Sequence, residues 1–226
     1  LYMTGGGFDK WCASGLAGVW AEENTREAIY DAFRRKETFA TTGPRIKVLF
    51  FAGFGWAPEL LQSADMVATA YNSGVTMGSD LSSFNDQSPH FLVWIVRDAL
   101  GAPLQRAQII KGYVKEGEHF ETVYDIACSD GLQTDQETHR CPDNGAEVDL
   151  ADCSISSDKG ADELLTLWQD PDFDPEQDAF YYVRVLENPT CRWSTWDAIR
   201  NGFSPRADLP ITIQERAWSS PIWYKT

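Results

Sequence analysis

The 226-residue chain carries 34 acidic and 19 basic side chains, which give it a formal net charge of -15. This charge argues against a nucleic-acid partner, because phosphate contacts need clustered Lys and Arg. The longest apolar runs fall short of the ~20 residues that a membrane-spanning helix requires. We therefore expect a globular protein with a sizeable core, no nucleic-acid partner and no membrane span.

The first predicted element is a helix that begins after Asn24. The run NTRE has the form of a capping box, with Asn24 as the N-cap and Glu27 three residues later. An apolar stripe at helical spacing follows, made of Ala28, Ile29, Ala32 and Phe33. A short helix is not stable alone, so this stripe has to be buried against another surface.

Strand patterns dominate the rest of the chain. Runs rich in β-branched and aromatic residues, separated by Gly, Pro, Asp or Asn, cover residues 46–51, 91–97, 105–114, 119–128, 179–187 and 211–224. In this half only residues 161–169 have a helical pattern. Consecutive strands without helices between them pair antiparallel. We predict a mainly β fold with an antiparallel β-sandwich over residues 43–226, preceded by a helical segment over residues 1–42.

The five cysteines are Cys12, Cys128, Cys141, Cys153 and Cys191. None of them has zinc-ligand spacing, so we expect no structural zinc. Four lie in the turn-rich second half, where three pairings are open and Cys128–Cys141 with Cys153–Cys191 is favoured. Such bridges indicate a periplasmic or secreted protein. Cys12 is left over, either for a partner in an upstream segment or as a free buried thiol.

The run DPDFDP places Asp170, Asp172 and Asp174 at alternate positions, as an EF-hand loop begins. Phe173 and Pro175 interrupt the pattern, and the required Gly at position six and Glu at position twelve are absent, which excludes an EF-hand. The surrounding acidic stretch is interpreted first as a solvated, flexible face. An irregular calcium loop is the second interpretation.

Three blocks of sequence together carry a resemblance to a known family. They are GLAGVWAEENTREAIYDAFRRKETFATTGPRI, WQDPDFDPEQDAFYYVRVLENPTCRWSTWDA and IQERAWSSPIWY. They resemble the C-terminal part of proteins of the domain-of-unknown-function family 3604, which is related to the PHP (polymerase and histidinol phosphatase) metallohydrolases. The resemblance implies a hydrolase of ester-type substrates with a divalent metal ion. It also implies that residues 1–42 are the last unit of a distorted β/α barrel, in which residues 39–43 match a YATTG-like segment.

The family's HxH ligand motif does not occur in this chain. His90, His119 and His139 fall in the predicted sandwich instead. The resemblance therefore implies metal ligands in an upstream catalytic segment of the same protein, the expected partner of this chain, which alone is not catalytic. We assign Glu22 a catalytic role at the barrel's mouth, where it orients a water or a ligand histidine. The competing interpretation is favourable charge near a helix N-terminus.

The main rival function is a non-catalytic secreted module that binds carbohydrate or a protein partner. Trp193 and Trp196 in CRWSTW, with Tyr181 and Tyr182 before them, suggest an aromatic platform for sugar rings. Aromatic residues of this kind also serve as core and interface residues. A third hypothesis is architectural, in which the sandwich supports the barrel and orders the loops near its mouth.

Overall fold

Two β-sheets pack face to face in the computed structural model, which describes residues 15–226. The larger sheet has eight strands: β1 (Leu16–Val19), β2 (Thr38–Thr41), β5 (Asp80–Ser82), β7 (Leu104–Lys115), β8 (Glu118–Cys128), β10 (Ala179–Glu187), β13 (Arg216–Ser219) and β14 (Ile222–Lys225). The smaller sheet has four: β3 (Lys47–Gly53), β4 (Gly74–Thr76), β6 (His90–Val96) and β9 (Glu163–Gln169). Two further strands, β11 (Thr190–Cys191) and β12 (Thr212–Ile213), pair with each other. The mainly β, antiparallel prediction is confirmed, with a parallel pair between β14 and β5.

The strand β10 lies at the centre of the larger sheet. Along one edge it pairs with β7, which pairs in turn with β8. Its other edge is shared, because residues 179–181 pair with β14 and residues 184–186 pair with β13. In the smaller sheet β6 pairs with both β3 and β9. None of the helices within residues 15–226 is long and apolar enough to cross a membrane.

The main core lies between the two sheets and follows from the period-2 alternation of their strands. In β10 the residues Ala179, Tyr181, Val183 and Val185 are buried, and they meet Val48, Phe50 and Ala52 of β3 in one cluster. The remaining apolar side chains of β3 face away from this core. They form a second cluster with Met66 and Ala70, so the smaller sheet is covered on both faces.

Within residues 15–226, three α-helices and one 3-10 helix connect the strands. They are α1 (Arg26–Arg34), α2 (Met66–Ser73), α3 (Trp193–Arg200) and the 3-10 helix Pro58–Gln62. The predicted cap of α1 is wrong by one residue, because Thr25 is the N-cap and its hydroxyl accepts a hydrogen bond from the Ala28 amide. The sequence patterns did not indicate α2 or α3.

The helix predicted over residues 161–169 is wrong, since this segment is the strand β9. Leu164 and Trp168 pack on the main core, while Leu165 and Leu167 pack on the second cluster. A strand that is covered on both faces has apolar residues in succession, and such a run does not distinguish a strand from a helix. The run 211–224 also differs from its prediction, because it forms the three short strands β12, β13 and β14.

The segment around α1 is joined to the larger sheet by hydrogen bonds. β1 pairs with β2, and β2 pairs with β13 through partners such as Thr41 and Ala217. The predicted boundary between residues 42 and 43 therefore does not coincide with an edge of this sheet. The assignment of residues 1–42 to a barrel domain stays a prediction, and residues 1–14 lie outside the described part of the chain.

Candidate functional site

Two disulfides hold the long connection between β8 and β9. They join Cys128 to Cys141 and Cys153 to Cys191, which is the pairing favoured from the sequence. The first ties the connection to the end of β8, and the second ties it to β11. Both fit an extracellular or periplasmic location, where disulfides persist. Cys12 lies outside the described residues.

A buried ion pair occupies the stretch that was considered as a calcium loop. The Nζ atom of Lys111 lies 2.6 Å from Oδ2 of Asp170, and the two side chains are 3% and 0% exposed. The Tyr181 hydroxyl donates to the same carboxylate oxygen at 2.8 Å. Asp170 therefore has a cation and a hydrogen-bond donor from the protein itself. A calcium ion at this loop stays an untested prediction.

The neighbouring Asp172 extends this cluster toward the surface. Its carbonyl oxygen accepts a hydrogen bond from Nζ of Lys111 at 2.6 Å, and its carboxylate accepts one from the Tyr124 hydroxyl at 2.7 Å. Burial, and then the hydrogen bond to Asp172, raises the pKa of Tyr124. Burial, and then the charge of Asp170, raises the pKa of Tyr181. Both phenols stay protonated, so they serve as hydrogen-bond donors.

A groove opens beside this cluster, beneath the β7–β8 hairpin. We call it the hairpin groove, a cavity of about 910 Å³ whose walls include the aromatic side chains of Tyr113, Phe120, Phe180, Trp223 and Tyr224. The rings of Tyr113 and Phe120 stack with centroids 5.3 Å apart, and those of Phe180 and Trp223 lie 5.0 Å apart. Gly112 lies under the Phe180 ring, and a Cβ at this position would overlap the ring. The groove is thus shaped by a glycine that sequence patterns did not single out.

A smaller cavity of about 260 Å³ lies between the groove and the ion-pair cluster and has wall residues in common with both. Its walls include Lys111, Tyr124 and Asp172, and it shares Tyr113 and Gln177 with the groove. Aromatic faces and polar groups therefore border two adjacent cavities. This combination suits a ligand that stacks on rings and also forms hydrogen bonds.

The predicted aromatic platform lies elsewhere, on α3. Trp193 and Trp196 are three residues apart, so they share one side of this helix. The guanidinium of Arg192 lies 5.1 Å from the Trp193 ring, and that of Arg200 lies 4.7 Å from the Trp196 ring. Each ring therefore already has a cation–π partner. The ligand-platform role of the two tryptophans stays a prediction.

The predicted catalytic residue Glu22 lies in the exposed connection between β1 and α1. The helix that follows buries Ala32 completely but leaves Tyr30 and Phe33 59% and 51% exposed. The predicted apolar stripe is therefore only partly covered within residues 15–226. Nothing in the geometry tests a catalytic role for Glu22.

The three histidines lie apart from one another on different elements. Nδ1 of His90 on β6 lies 3.5 Å from the Gln169 amide nitrogen, and burial lowers the pKa of this histidine. His119 lines the hairpin groove, and His139 lies edge-on to the Tyr124 ring. Within residues 15–226 no group of three or more His, Cys, Asp or Glu side chains is placed to hold a metal ion.

Comparison with known proteins identifies the family of the chain but not an activity. No curated protein and no solved structure matches it. The model of one family, described as a protein of unknown function (DUF3604), matches residues 5–226. This match spans both sheets, the hairpin groove and the ion-pair cluster. The chain therefore belongs to the DUF3604 family.

Proposed function

We propose that the chain is the C-terminal part of a metal-dependent hydrolase of ester-type substrates, related to the PHP metallohydrolases. Family membership and the resemblance of the segment around α1 to the end of a PHP barrel support this proposal. The observation that carries it is the exposure of Tyr30 and Phe33 on α1, the helix that follows the Glu22 connection in the chain. Large apolar side chains grouped on one surface are typical of a face that contacts further protein.

In this proposal the described sandwich does not hold the metal. The upstream catalytic segment supplies the ligands, because residues 15–226 contain no suitable cluster. Glu22 then acts as a positioning residue, whose carboxylate accepts a hydrogen bond from a group of that segment. The sandwich supports the segment from the side of α1.

The test uses the full-length protein that contains this chain, assayed on p-nitrophenyl phosphate, sulfate and acetate. Glu22→Gln is compared with Glu23→Gln, since both remove one negative charge from the same connection. We expect Glu22→Gln to lower turnover by about tenfold or more and Glu23→Gln to leave it near the wild-type level. Unchanged turnover and metal content in Glu22→Gln would exclude the role of Glu22. If the wild-type protein cleaves none of the three esters, the hydrolase proposal is contradicted.

The hairpin groove supports a second candidate function, a module that binds neutral carbohydrate. Five Phe, Tyr and Trp side chains line it, and two of them, Trp223 and Phe120, are 38% and 41% exposed, so ring faces are accessible to a sugar. The groove walls also carry Glu116 and Glu121, whose oxygens accept hydrogen bonds from sugar hydroxyls. This location differs from the platform of Trp193 and Trp196.

Affinity electrophoresis of the chain in gels that contain soluble polysaccharides distinguishes the two locations. Trp223→Ala and Phe120→Ala should each weaken retardation by about fivefold or more, since each removes a stacking surface. Trp196→Ala is the control and should leave retardation unchanged. If retardation is lost only in Trp196→Ala, the result would instead support the platform on α3. If the wild-type chain is not retarded by any of the polysaccharides, the carbohydrate-binding function is contradicted.

A further inference from the structure

A second large cavity lies at the other end of β7, where arginine side chains gather. We call it the arginine cavity, a space of about 940 Å³ whose walls include Arg106, Arg192, Arg216, Gln105, Gln214 and Thr212. We propose that it binds an oxyanion group, a phosphate, sulfate or carboxylate carried by a small ligand, with Arg216 as the main contact. This inference does not rest on the proposed function.

The local charge of the cavity is opposite to that of the whole chain. The chain has a net charge of -15, yet three arginines line this one cavity. Of the two carboxylates in the wall, Asp208 forms an ion pair with Arg206 at 2.8 Å, and Asp143 accepts a hydrogen bond from the Gly145 amide. Arg106 has an acidic partner outside the wall, Asp125 at 3.2 Å, and the wall itself carries three arginines and two aspartates.

The sheet register places two of the arginines in one row. Leu186 of β10 pairs with Arg216 of β13 on one side and with Arg106 of β7 on the other. Neighbouring strands lie about 4.8 Å apart, so the Cα atoms of the two arginines are about 10 Å apart. At this separation an oxyanion bound by Arg216 also lies in the positive field of Arg106.

The hydrogen bonds show which of these two guanidinium groups has N–H donors without an acceptor in the described residues. Arg106 donates from Nη1 to Asp125 and from Nε and Nη2 to the Gln105 side-chain oxygen. Arg216 donates from Nε to the Gln214 carbonyl at 3.3 Å, and its terminal nitrogens have no acceptor within the described chain. The terminal nitrogens of Arg216 are thus the donors for a ligand, while Arg106 adds positive potential.

The surrounding polar side chains are held in place before any ligand arrives. The Gln214 amide nitrogen donates to the Gln105 side-chain oxygen and to the Glu187 carbonyl, each at 3.0 Å. Gln105 donates in turn to Asn144 at 3.2 Å. A network of this kind fixes the rotamers around a site and lowers the entropy cost of binding.

The third arginine stands at the start of α3. Arg192 is the N-cap of this helix, and it follows the disulfide-bonded Cys191. The first turn of α3 has no acidic residue, and no side chain caps it. The positive end of the helix dipole therefore adds to the field that favours an anion in this region.

The test is isothermal titration of the chain with inorganic phosphate, inorganic sulfate and acetate, at ionic strength held constant with sodium chloride. We expect saturable binding of at least one of these anions at one equivalent. Arg216→Gln should raise its Kd about tenfold or more. Arg34→Gln removes an exposed arginine of α1 and should leave the Kd unchanged. The proposal would be overturned if the two variants raise the Kd equally, or if the wild-type chain shows saturable binding of none of the three anions.

A second variant covers the case in which Arg216→Gln does not fold, as judged by its unfolding midpoint in sodium chloride alone. Leu209→Glu places a negative charge in the cavity wall without changing any of its arginines. It should weaken anion binding by about tenfold, because a carboxylate repels the ligand. Wild-type affinity in Leu209→Glu would contradict binding in this cavity.

Discussion

The Glu187 amide donates to the Glu215 carbonyl oxygen at 2.9 Å, so the two glutamates face each other across β10 and β13. Each has one carboxylate oxygen that is buried without a hydrogen-bond partner in the described chain. Glu187 is only 1% exposed. Directly opposed like charges are unfavourable, and burial of the Glu187 carboxylate adds to the cost of ionising it.

Burial raises the pKa of the Glu187 carboxyl to about 8 from its ordinary value of 4.5. The charges of Glu215 and Asp98 add to the rise, while the Ala102 amide and Arg97 oppose it. Because the folded chain holds this proton more tightly than the unfolded chain, the carboxyl stabilises the fold at low pH. That stability is lost as the pH rises from about 4.5 to about 8.

We predict that Glu187→Gln removes this part of the pH dependence. The amide cannot ionise, so the variant should gain stability relative to wild type above about pH 8, by a few kcal/mol in order of magnitude, on the order of 1.4 kcal/mol for each tenfold difference in proton affinity between the folded and unfolded chain. Urea unfolding at about pH 5 and about pH 9 measures the difference. Glu59→Gln is the control at an exposed glutamate. A difference between Glu187→Gln and wild type that stays constant over this range would contradict the assignment.

A second prediction concerns the ion pair between Lys111 and Asp170. Lys111→Met leaves the Asp170 carboxylate buried without its cation, so we expect a loss of about 3–5 kcal/mol in the free energy of unfolding. In the double variant Lys111→Met with Asp170→Leu no buried charge remains, and most of the loss should be recovered. Urea unfolding of the wild type, the single variants Lys111→Met and Asp170→Leu, and the double variant gives the coupling energy. A coupling energy near zero would show that the two side chains act independently.

The packing of Gly112 against Phe180 leads to a third prediction. Gly112→Ala introduces a Cβ that overlaps the Phe180 ring, so it should lower the unfolding free energy by about 1–3 kcal/mol. In a Phe180→Ala background the overlap is gone, and the same substitution should cost much less. Both effects are measured by denaturant unfolding. An equal cost in the two backgrounds would mean that the ring is not what excludes a side chain at residue 112.

Much of the fold was predictable from the sequence where one strand face is buried and the other is not. The strand β10 matches its predicted range, 179–187, because its residues alternate between the core and a partly covered face. β9 was missed for the opposite reason, since it is covered on both faces. The pattern of alternation therefore carries information only where the two faces differ.

The site residues were harder to predict, because they meet only through the sheet pairing. Lys111 and Asp170 are far apart in the chain, as are Arg106 and Arg216, and each residue alone is an ordinary polar residue. A signal was present at Lys111, which interrupts the apolar run QIIKGYV. A charge in the middle of a buried strand requires a partner, but the sequence does not show which one.

The last prediction concerns the Cys153–Cys191 disulfide, which joins residues 38 positions apart. The Cys128–Cys141 disulfide closes a shorter segment of 13 positions. Since a longer closed loop restricts the unfolded chain more, replacing Cys153 and Cys191 with Ser should lower the unfolding free energy by about 2–4 kcal/mol. Replacing the other pair should cost less.

Because Cys191 precedes Arg192, the variant without the Cys153–Cys191 disulfide should also weaken anion binding in the arginine cavity. Denaturant unfolding and titration with inorganic phosphate measure the two effects, and full anion affinity without this disulfide would show that Arg192 is positioned independently of it.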